Sequence, residues 1–257
     1  MRPALALLLA FASPAAAADP AKYIRAELIA ESMTPRPGGT VVVGIRLIPK
    51  PGWHGYWSNP GDSGFAPTVR WTVPAGVKLG PLLHPAPTLL KVSGMSSFVH
   101  EGPHVLLARM TVAQGIRPGT AIPVSASVNW AACPATQCVP LRATLKLSLR
   151  AGDGAPGADA AAVRAAARKL PRTAANGRMV VAGPTLRLQL PESLRLEPRR
   201  ARFFPDTNGV IDAAASRMAT KGGTIVIIAP RRGAVPGKIS GVVSDGRSAY
   251  RLAFVRK

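Results

Sequence analysis

The feature that most constrains the fold is a two-residue alternation of apolar and polar side chains. In residues 141–150 every odd position is apolar and every even position is polar or cationic, and residues 124–130 repeat the pattern with the apolar groups on even positions. This period places the apolar groups on one face of an extended chain, so it predicts two half-buried strands. Further strands are predicted at 186–190, 224–229 and 248–255, and the second of these is expected to be buried on both faces. Because Pro/Gly turns separate these short strands, the chain is expected to be all-β, with antiparallel strand order.

The chain divides into two β-rich parts joined by a segment of different composition. Residues 19–150 show short strands between Pro/Gly turns, which predicts a β-sandwich. The linker, 151–177, contains an alanine-rich run that starts after Asp159, a helix-capping residue type, and stops before Pro171. A short linker helix is therefore expected. Residues 178–257 are predicted to form a second, smaller β-rich module.

Residues 1–18 have the pattern of an export signal. They carry one cation at Arg2, an apolar stretch and a run of alanines before Asp19. This pattern predicts a secretory signal peptide that is cleaved after Ala18. Because no later segment has about 18 uninterrupted apolar residues, no membrane span is expected. The mature protein is predicted to work outside the cytoplasm, in a compartment that oxidises thiols.

The charge balance is strongly basic, with 33 Lys and Arg against 12 Asp and Glu and a formal net charge of +21. The cations are mostly isolated along strand faces and loops, and no run is longer than a pair such as Arg199 and Arg200. This distribution favours a solvated surface, and a basic face for an acidic partner remains the alternative. Nucleic acid is not an expected partner outside the cytoplasm.

The chain has two cysteines, Cys133 and Cys138, placed between the two alternating strands. Four residues separate them, so the two sulfurs can meet at the ends of adjacent strands and form a disulfide. Such a short loop would stabilise the fold by about 2 kcal/mol, against about 4.7 kcal/mol for a 100-residue loop. Spacing alone leaves a redox pair and a structural pair equally open. The four scattered histidines show no zinc-type spacing, and neither a metal nor a cofactor is expected.

Three motifs resemble one known family. They are the aromatic segment 52–64 with its continuation 67–71, the run Asn129-Trp-Ala-Ala-Cys133 before the cysteine pair, and Cys138-Val-Pro140 after it. In this order they resemble the N-terminal periplasmic domain of the DsbD and ScsB-type thiol:disulfide interchange proteins, over residues 23–150. Residues 202–206 and 209–212 are similar to the second β-module of the ScsB-type members.

The resemblance implies an immunoglobulin-like β-sandwich whose cysteine pair relays two electrons by thiol-disulfide exchange in the periplasm. It implies that Cys138 forms mixed disulfides with partners and that Cys133 resolves them, without a catalytic base. The implied partners are thioredoxin-fold periplasmic proteins and a separate membrane electron donor. Full-length members continue into a membrane domain and a thioredoxin-like domain, whereas this sequence stops at Lys257.

Family members shield the cysteine pair with a flexible loop, and the matching region here is 84–104. Met95 and Phe98 are the candidate cap residues, because apolar groups between Gly and Ser could cover a sulfur. For Phe98 a place in the core is equally open. The aromatic residues of the first motif are interpreted as packing groups, with a turn at 59–62; they are Trp53, Tyr56, Trp57 and Trp71.

Two other functions compete with the relay. The first is a non-catalytic binding or chaperone-like β-sandwich with an inert structural disulfide. The second is binding of Cu(I) by Cys133 and Cys138 with Met95 nearby, since thiolate and thioether ligands select that ion.

Overall fold

The computed structural model describes residues 19–92, 94–134, 137–221 and 223–256. The predicted signal peptide, 1–18, lies outside the described residues. A three-residue 3-10 helix at Pro20–Lys22 opens the described chain. Ten strands follow: β1 (Ile24–Ala30), β2 (Thr40–Pro49), β3 (Gly55–Gly61), β4 (Thr68–Thr72), β5 (Val77–Leu79), β6 (Thr88–Val92), β7 (Met95–His100), β8 (His104–Val112), β9 (Ala121–Ala132) and β10 (Val139–Arg150).

These ten strands form the predicted β-sandwich. One sheet has the order β1-β2-β8-β5 and the facing sheet has the order β10-β9-β4. Apolar side chains from both sheets fill the space between them, as where Ile45 and Leu106 meet Val128 and Trp130. A third, smaller sheet of order β3-β7-β6 lies at the end of the sandwich that carries the cysteines.

The two alternating segments are neighbouring antiparallel strands, as predicted. β9 and β10 pair along their full length, from Ala121 opposite Arg150 to Ala132 opposite Val139. The even positions of β9 and the odd positions of β10 face the core, and the other positions face outward. The cysteines therefore lie at the loop end of a hairpin whose two strands are twelve residues long.

The predicted linker helix is present as α1 (Ala160–Arg168). Its Val163 packs with Ile29 and Leu107, so the helix packs against the β-sandwich. Asp159 precedes the helix, but the expected side-chain cap is wrong, because its carboxylate makes no capping hydrogen bond. Arg46 donates to that carboxylate instead, at 2.6 Å, and the ion pair competes with the helix amides for the same oxygens.

The second module is one sheet with its own core. Its strands are β11 (Arg172–Thr173), β12 (Gly177–Ala182), β13 (Thr185–Gln189), β14 (Arg202–Pro205), β15 (Arg217–Lys221), β16 (Thr224–Pro230), β17 (Lys238–Ser244) and β18 (Ala249–Arg256). Their order is β14-β17-β18-β12-β13-β16-β15, and β11 also pairs with β18.

Two expectations for this module are wrong. β11 and β12 both run parallel to β18, so the order is not purely antiparallel. No hairpin turn joins these strands along the chain, and a local pattern therefore cannot reveal their direction. β16 is also buried on one face only, since Ile227 and Ala229 are buried and the residues between and beside them are partly exposed.

The two modules meet through an aromatic cluster. Trp57 and Phe98 of the first module pack edge to face against Phe204 of the second, with ring centroids 5.3 to 6.3 Å apart. Asn59 donates a hydrogen bond to the carbonyl of Pro205 at 2.7 Å. Because all three aromatic rings are buried, the contact between the modules resembles a hydrophobic core.

Three histidines lie close together where β7 is followed by β8. The rings of His100 and His104 stack with centroids 4.3 Å apart, and His104 Nδ1 donates to the carbonyl of Gly102 at 2.9 Å. Burial lowers the pKa of His84 and His104 to about 4, and it lowers the pKa of His100 well below 6.5. Repulsion between the rings, and from Arg251 at His84, acts in the same direction.

We expect the free energy of unfolding to fall as the pH drops from 7 to 5. The unfolded imidazoles bind protons near pH 6.5, whereas the folded ones stay neutral down to about pH 4, so unfolding takes up protons in this window. A single histidine shifted in this way removes about 2 kcal/mol at pH 5. Urea titrations at both pH values measure the loss. His104→Asn retains a donor for Gly102 and should flatten the dependence, and an unchanged dependence in that variant would contradict the assignment.

Candidate functional site

The cysteine pair forms a disulfide at the ends of β9 and β10, with an S–S distance of 2.03 Å. Its two halves differ in exposure. Cys133 is 1% exposed, and its backbone exchanges two 3.0 Å hydrogen bonds with His54. Cys138 is exposed and lies just outside the strand ladder. A molecule that approaches from solvent therefore meets Cys138 before Cys133.

Tyr56 lies directly against the exposed cysteine. Its hydroxyl is 3.5 Å from Cys138 Sγ, and its ring is buried. The ring occupies the space beside Gly64, whose φ is +75°, and a Cβ there would lie 2.1 Å from a ring carbon. Only glycine therefore fits at position 64. Interpreting Tyr56 as a packing group missed its contact with the sulfur.

A small pocket of about 140 Å³ opens beside Cys138. Tyr56, Leu90, Met95 and Cys138 are among the residues that line it. Met95 is 44% exposed and stands at the start of β7. The structure thus brings one cap candidate, Met95, to the cysteine pair.

The other cap candidate, Phe98, lies elsewhere. It is 3% exposed and packs in the aromatic cluster between the modules, so it takes the core position that the sequence left open. Strand pairing replaces most of the loop expected at 84–104: β6 and β7 form a hairpin, which we call the cap hairpin (88–92 and 94–100). Leu89, Leu90 and Val99 favour strand pairing, and Gly94, with φ +79°, permits the tight connection between the strands.

The cap hairpin is tied to the β3 end by Asp62. The Asp62 carboxylate accepts from the Ser96 amide, and the Asp62 amide donates to the Ser96 carbonyl, both at 2.8 Å. Arg232 of the second module donates to the same carboxylate at 2.7 Å and pairs with Asp212. The expected turn at 59–62 is wrong in part, because Asn59 to Gly61 belong to β3, whose pairing with β7 shifts register after Tyr56.

His54, whose backbone pairs with Cys133, also lines the pocket beside Cys138. Its ring packs edge to face on Tyr56, with centroids 5.5 Å apart. Burial lowers the pKa of His54, so the imidazole is neutral at pH 7. Within the described residues, no three His, Cys, Asp or Glu side chains are grouped so as to hold a metal ion. The site offers two sulfurs, with a hydroxyl beside one of them.

Comparisons with known proteins identify the family of the first module and the fold of both modules. The family model for "Thiol:disulfide interchange protein DsbD, N-terminal" matches residues 25–149. Among solved structures, the N-terminal periplasmic domain of ScsB from Proteus mirabilis aligns with a TM-score of 0.66 and 18% identity, over 91% of this chain and 93% of that one. This likeness shows the fold, and the alignment extends across both modules.

Other structures are much less similar. The major pilin subunit BcpA of Bacillus cereus aligns at a TM-score of 0.30 and 9% identity, over 86% of this chain and 58% of that one. The yeast GGA1 GAE domain aligns at 0.24 and 18%, over 48% and 88%. Scores this low support no argument. No curated protein matches the sequence at a significant level. In the described part of the chain, no helix is long and apolar enough to cross a membrane.

Proposed function

Because residues 25–149 belong to the family of DsbD N-terminal domains, we propose that this chain is a thiol-disulfide exchange relay that works through Cys133 and Cys138. The observation that carries the proposal is the asymmetry of the pair. Cys133 is buried, and Cys138 is exposed beside a pocket and a hydroxyl group. A disulfide whose only role is to staple two strands has no need of one accessible sulfur.

The asymmetry assigns an order to the chemical steps. In the reduced protein, the Cys138 thiolate attacks one sulfur of a partner disulfide, forms a mixed disulfide, and releases the partner's other sulfur as a thiolate. The Cys133 thiolate then attacks Cys138 Sγ, closes the Cys133–Cys138 disulfide, and releases the second partner thiolate. Two electrons pass to the partner, and solvent supplies two protons. A dithiol donor regenerates the reduced pair by the same steps in reverse.

The surroundings of Cys138 support this role. The Tyr56 hydroxyl can donate a hydrogen bond to the Cys138 thiolate once the disulfide opens, and such a bond favours the reactive form. Met95 lines the same pocket and limits access from the side of the cap hairpin. Thioredoxin-fold proteins and a separate membrane electron donor are the proposed partners, and the periplasm is the proposed compartment, as for the similar domain of ScsB.

The test is a redox titration of the folded protein in dithiothreitol and glutathione buffers, with free thiols counted by alkylation and mass. Two thiols should appear reversibly, with a midpoint above about −300 mV, because exposed disulfides have higher reduction potentials than structural ones. Tyr56→Phe removes only the hydroxyl and should slow the exchange about threefold to tenfold at pH 7. A disulfide that resists millimolar reductant until the protein unfolds would instead support the structural alternative.

A further inference from the structure

The outward face of the sheet β10-β9-β4 carries four exposed cations. Arg142, Lys146 and Arg150 occupy alternate outward positions of β10, and Arg70 occupies an outward position of β4. Serine, threonine and asparagine fill most of the positions between them. None of the residues in these three strands is acidic.

These cations are also free of carboxylate partners in the described part of the chain. The ion pairs found there involve Arg25, Arg46, Arg164, Arg232 and Arg251, all outside this sheet. On the face itself, Arg142 donates to the side-chain oxygen of Asn129 at 2.7 Å, and Arg150 donates to the carbonyl of Gly119 at 2.6 Å. These hydrogen bonds hold the two guanidinium groups in place, but both acceptors are uncharged, so the positive charges are not neutralised by a carboxylate of the described residues.

This face leads directly to the exposed cysteine. Residues two apart in a strand point to the same side, so Pro140 is in the outward row that contains Arg142, and Cys138 comes two residues before Pro140, just outside the strand. At about 3.3 Å per residue, Arg142 lies about 13 Å along the chain from Cys138. On β9, Ala131 is on the same side, opposite Pro140, and packs with Tyr56. The cationic face therefore begins where the packing around the cysteine pair ends.

We propose that this face is a docking surface for an acidic flank of the protein that exchanges disulfides at Cys138. The inference rests on the proposed function, since it needs a partner that reacts there. Uncompensated charge beside a reactive group attracts an oppositely charged partner and raises the rate of encounter, most strongly at low salt. A partner seated on Cys138 would reach Arg142, about 13 Å away. This distance is well within the Debye length of about 30 Å at 10 mM ionic strength and exceeds the length of about 8 Å at physiological salt.

Three synthetic peptides test the proposal. Each has one cysteine activated as a 2-pyridyl disulfide, a neutral spacer of four residues, and then four Glu, four Gln or four Lys. Cys138 of the reduced protein attacks the peptide sulfur and releases pyridine-2-thione, whose absorbance gives the rate; Cys133 then displaces the peptide as a thiol. At 10 mM ionic strength the Glu peptide should react about tenfold faster than the Gln peptide, and the Lys peptide slower. The differences should vanish by 0.5 M salt.

Matched variants locate the effect. R70Q/R142Q/K146Q removes three charges from the face and should abolish the preference for Glu while leaving the Gln rate unchanged. R178Q/R187Q/R256Q removes three exposed charges from the second module and should retain most of the preference. Equal loss in both variants, or equal wild-type rates for all three peptides, would overturn the inference and leave the relay intact. No reaction with any peptide would contradict the proposed function, and the inference with it. If R70Q/R142Q/K146Q fails to fold, the single variant R142Q replaces it; R142Q should lower the preference for Glu, and an unchanged preference would overturn the inference.

Discussion

Cys133→Ala should accumulate a stable mixed disulfide with a thioredoxin-fold partner, and Cys138→Ala should not. The partner for this test is a thioredoxin variant that keeps only its exposed active-site cysteine, activated with 5-thio-2-nitrobenzoate. Attack by Cys138 releases thionitrobenzoate and joins the two proteins. Without Cys133 no second thiol can attack the mixed disulfide, so the complex persists. In the wild-type protein, Cys133 closes the internal disulfide and releases the partner.

The Cys138→Ala variant serves as the matched control. Both single variants lose the same cross-link and therefore the same stabilisation, about 2 kcal/mol. They differ in which sulfur remains: Cys133 is 1% exposed, whereas Cys138 is exposed. Release of thionitrobenzoate should be about 100-fold slower, or slower still, in Cys138→Ala, because a buried thiol reacts only when the structure opens locally. Gel analysis without reductant counts the complex, and equal trapping by both variants would contradict the assigned order of attack.

Local sequence pattern was sufficient for the scaffold of the site. The alternation in β9 and β10 depends on neighbouring residues only, and it predicted both strands and the cysteines at their ends. The short helix was predicted for the same reason, from alanines that stop before Pro171. Where an outcome depends on one chain segment alone, periodicity and turn chemistry carry enough information.

Contacts between distant segments were not predictable in this way. Tyr56 reaches Cys138 because His54 pairs with Cys133, which places the start of β3 across the end of β9. The one local hint is Gly64, whose missing side chain leaves room for the Tyr56 ring. β7 is buried from Ser96 to His100 with no alternation, since the first module covers one side and the second covers the other. A strand covered on both faces has no period to detect, and so the role of Phe98 stayed open.

The second large effect is expected from Phe204→Ala, which should loosen the cap hairpin although Phe204 belongs to the second module. Phe204 packs on Phe98, a residue of the hairpin, and on Trp57 of β3. Truncating a buried aromatic ring costs about 3 to 5 kcal/mol of unfolding free energy. The loss should mainly weaken the contact between the modules, because the Phe204 ring packs in the cluster that joins them.

Phe203→Ala is the control, since Phe203 is the preceding residue of β14 and points to the opposite face. It packs on Phe254 inside the second module, with ring centroids 5.2 Å apart. Both variants should lose about the same unfolding free energy in urea. Only Phe204→Ala should lower amide protection in residues 88–100, by about tenfold or more, and speed the exchange at Cys138. If the two variants expose the hairpin equally, the second module does not hold it through the aromatic cluster. Hydrogen exchange read by mass spectrometry distinguishes these outcomes, because it reports on the hairpin separately from the rest of the fold.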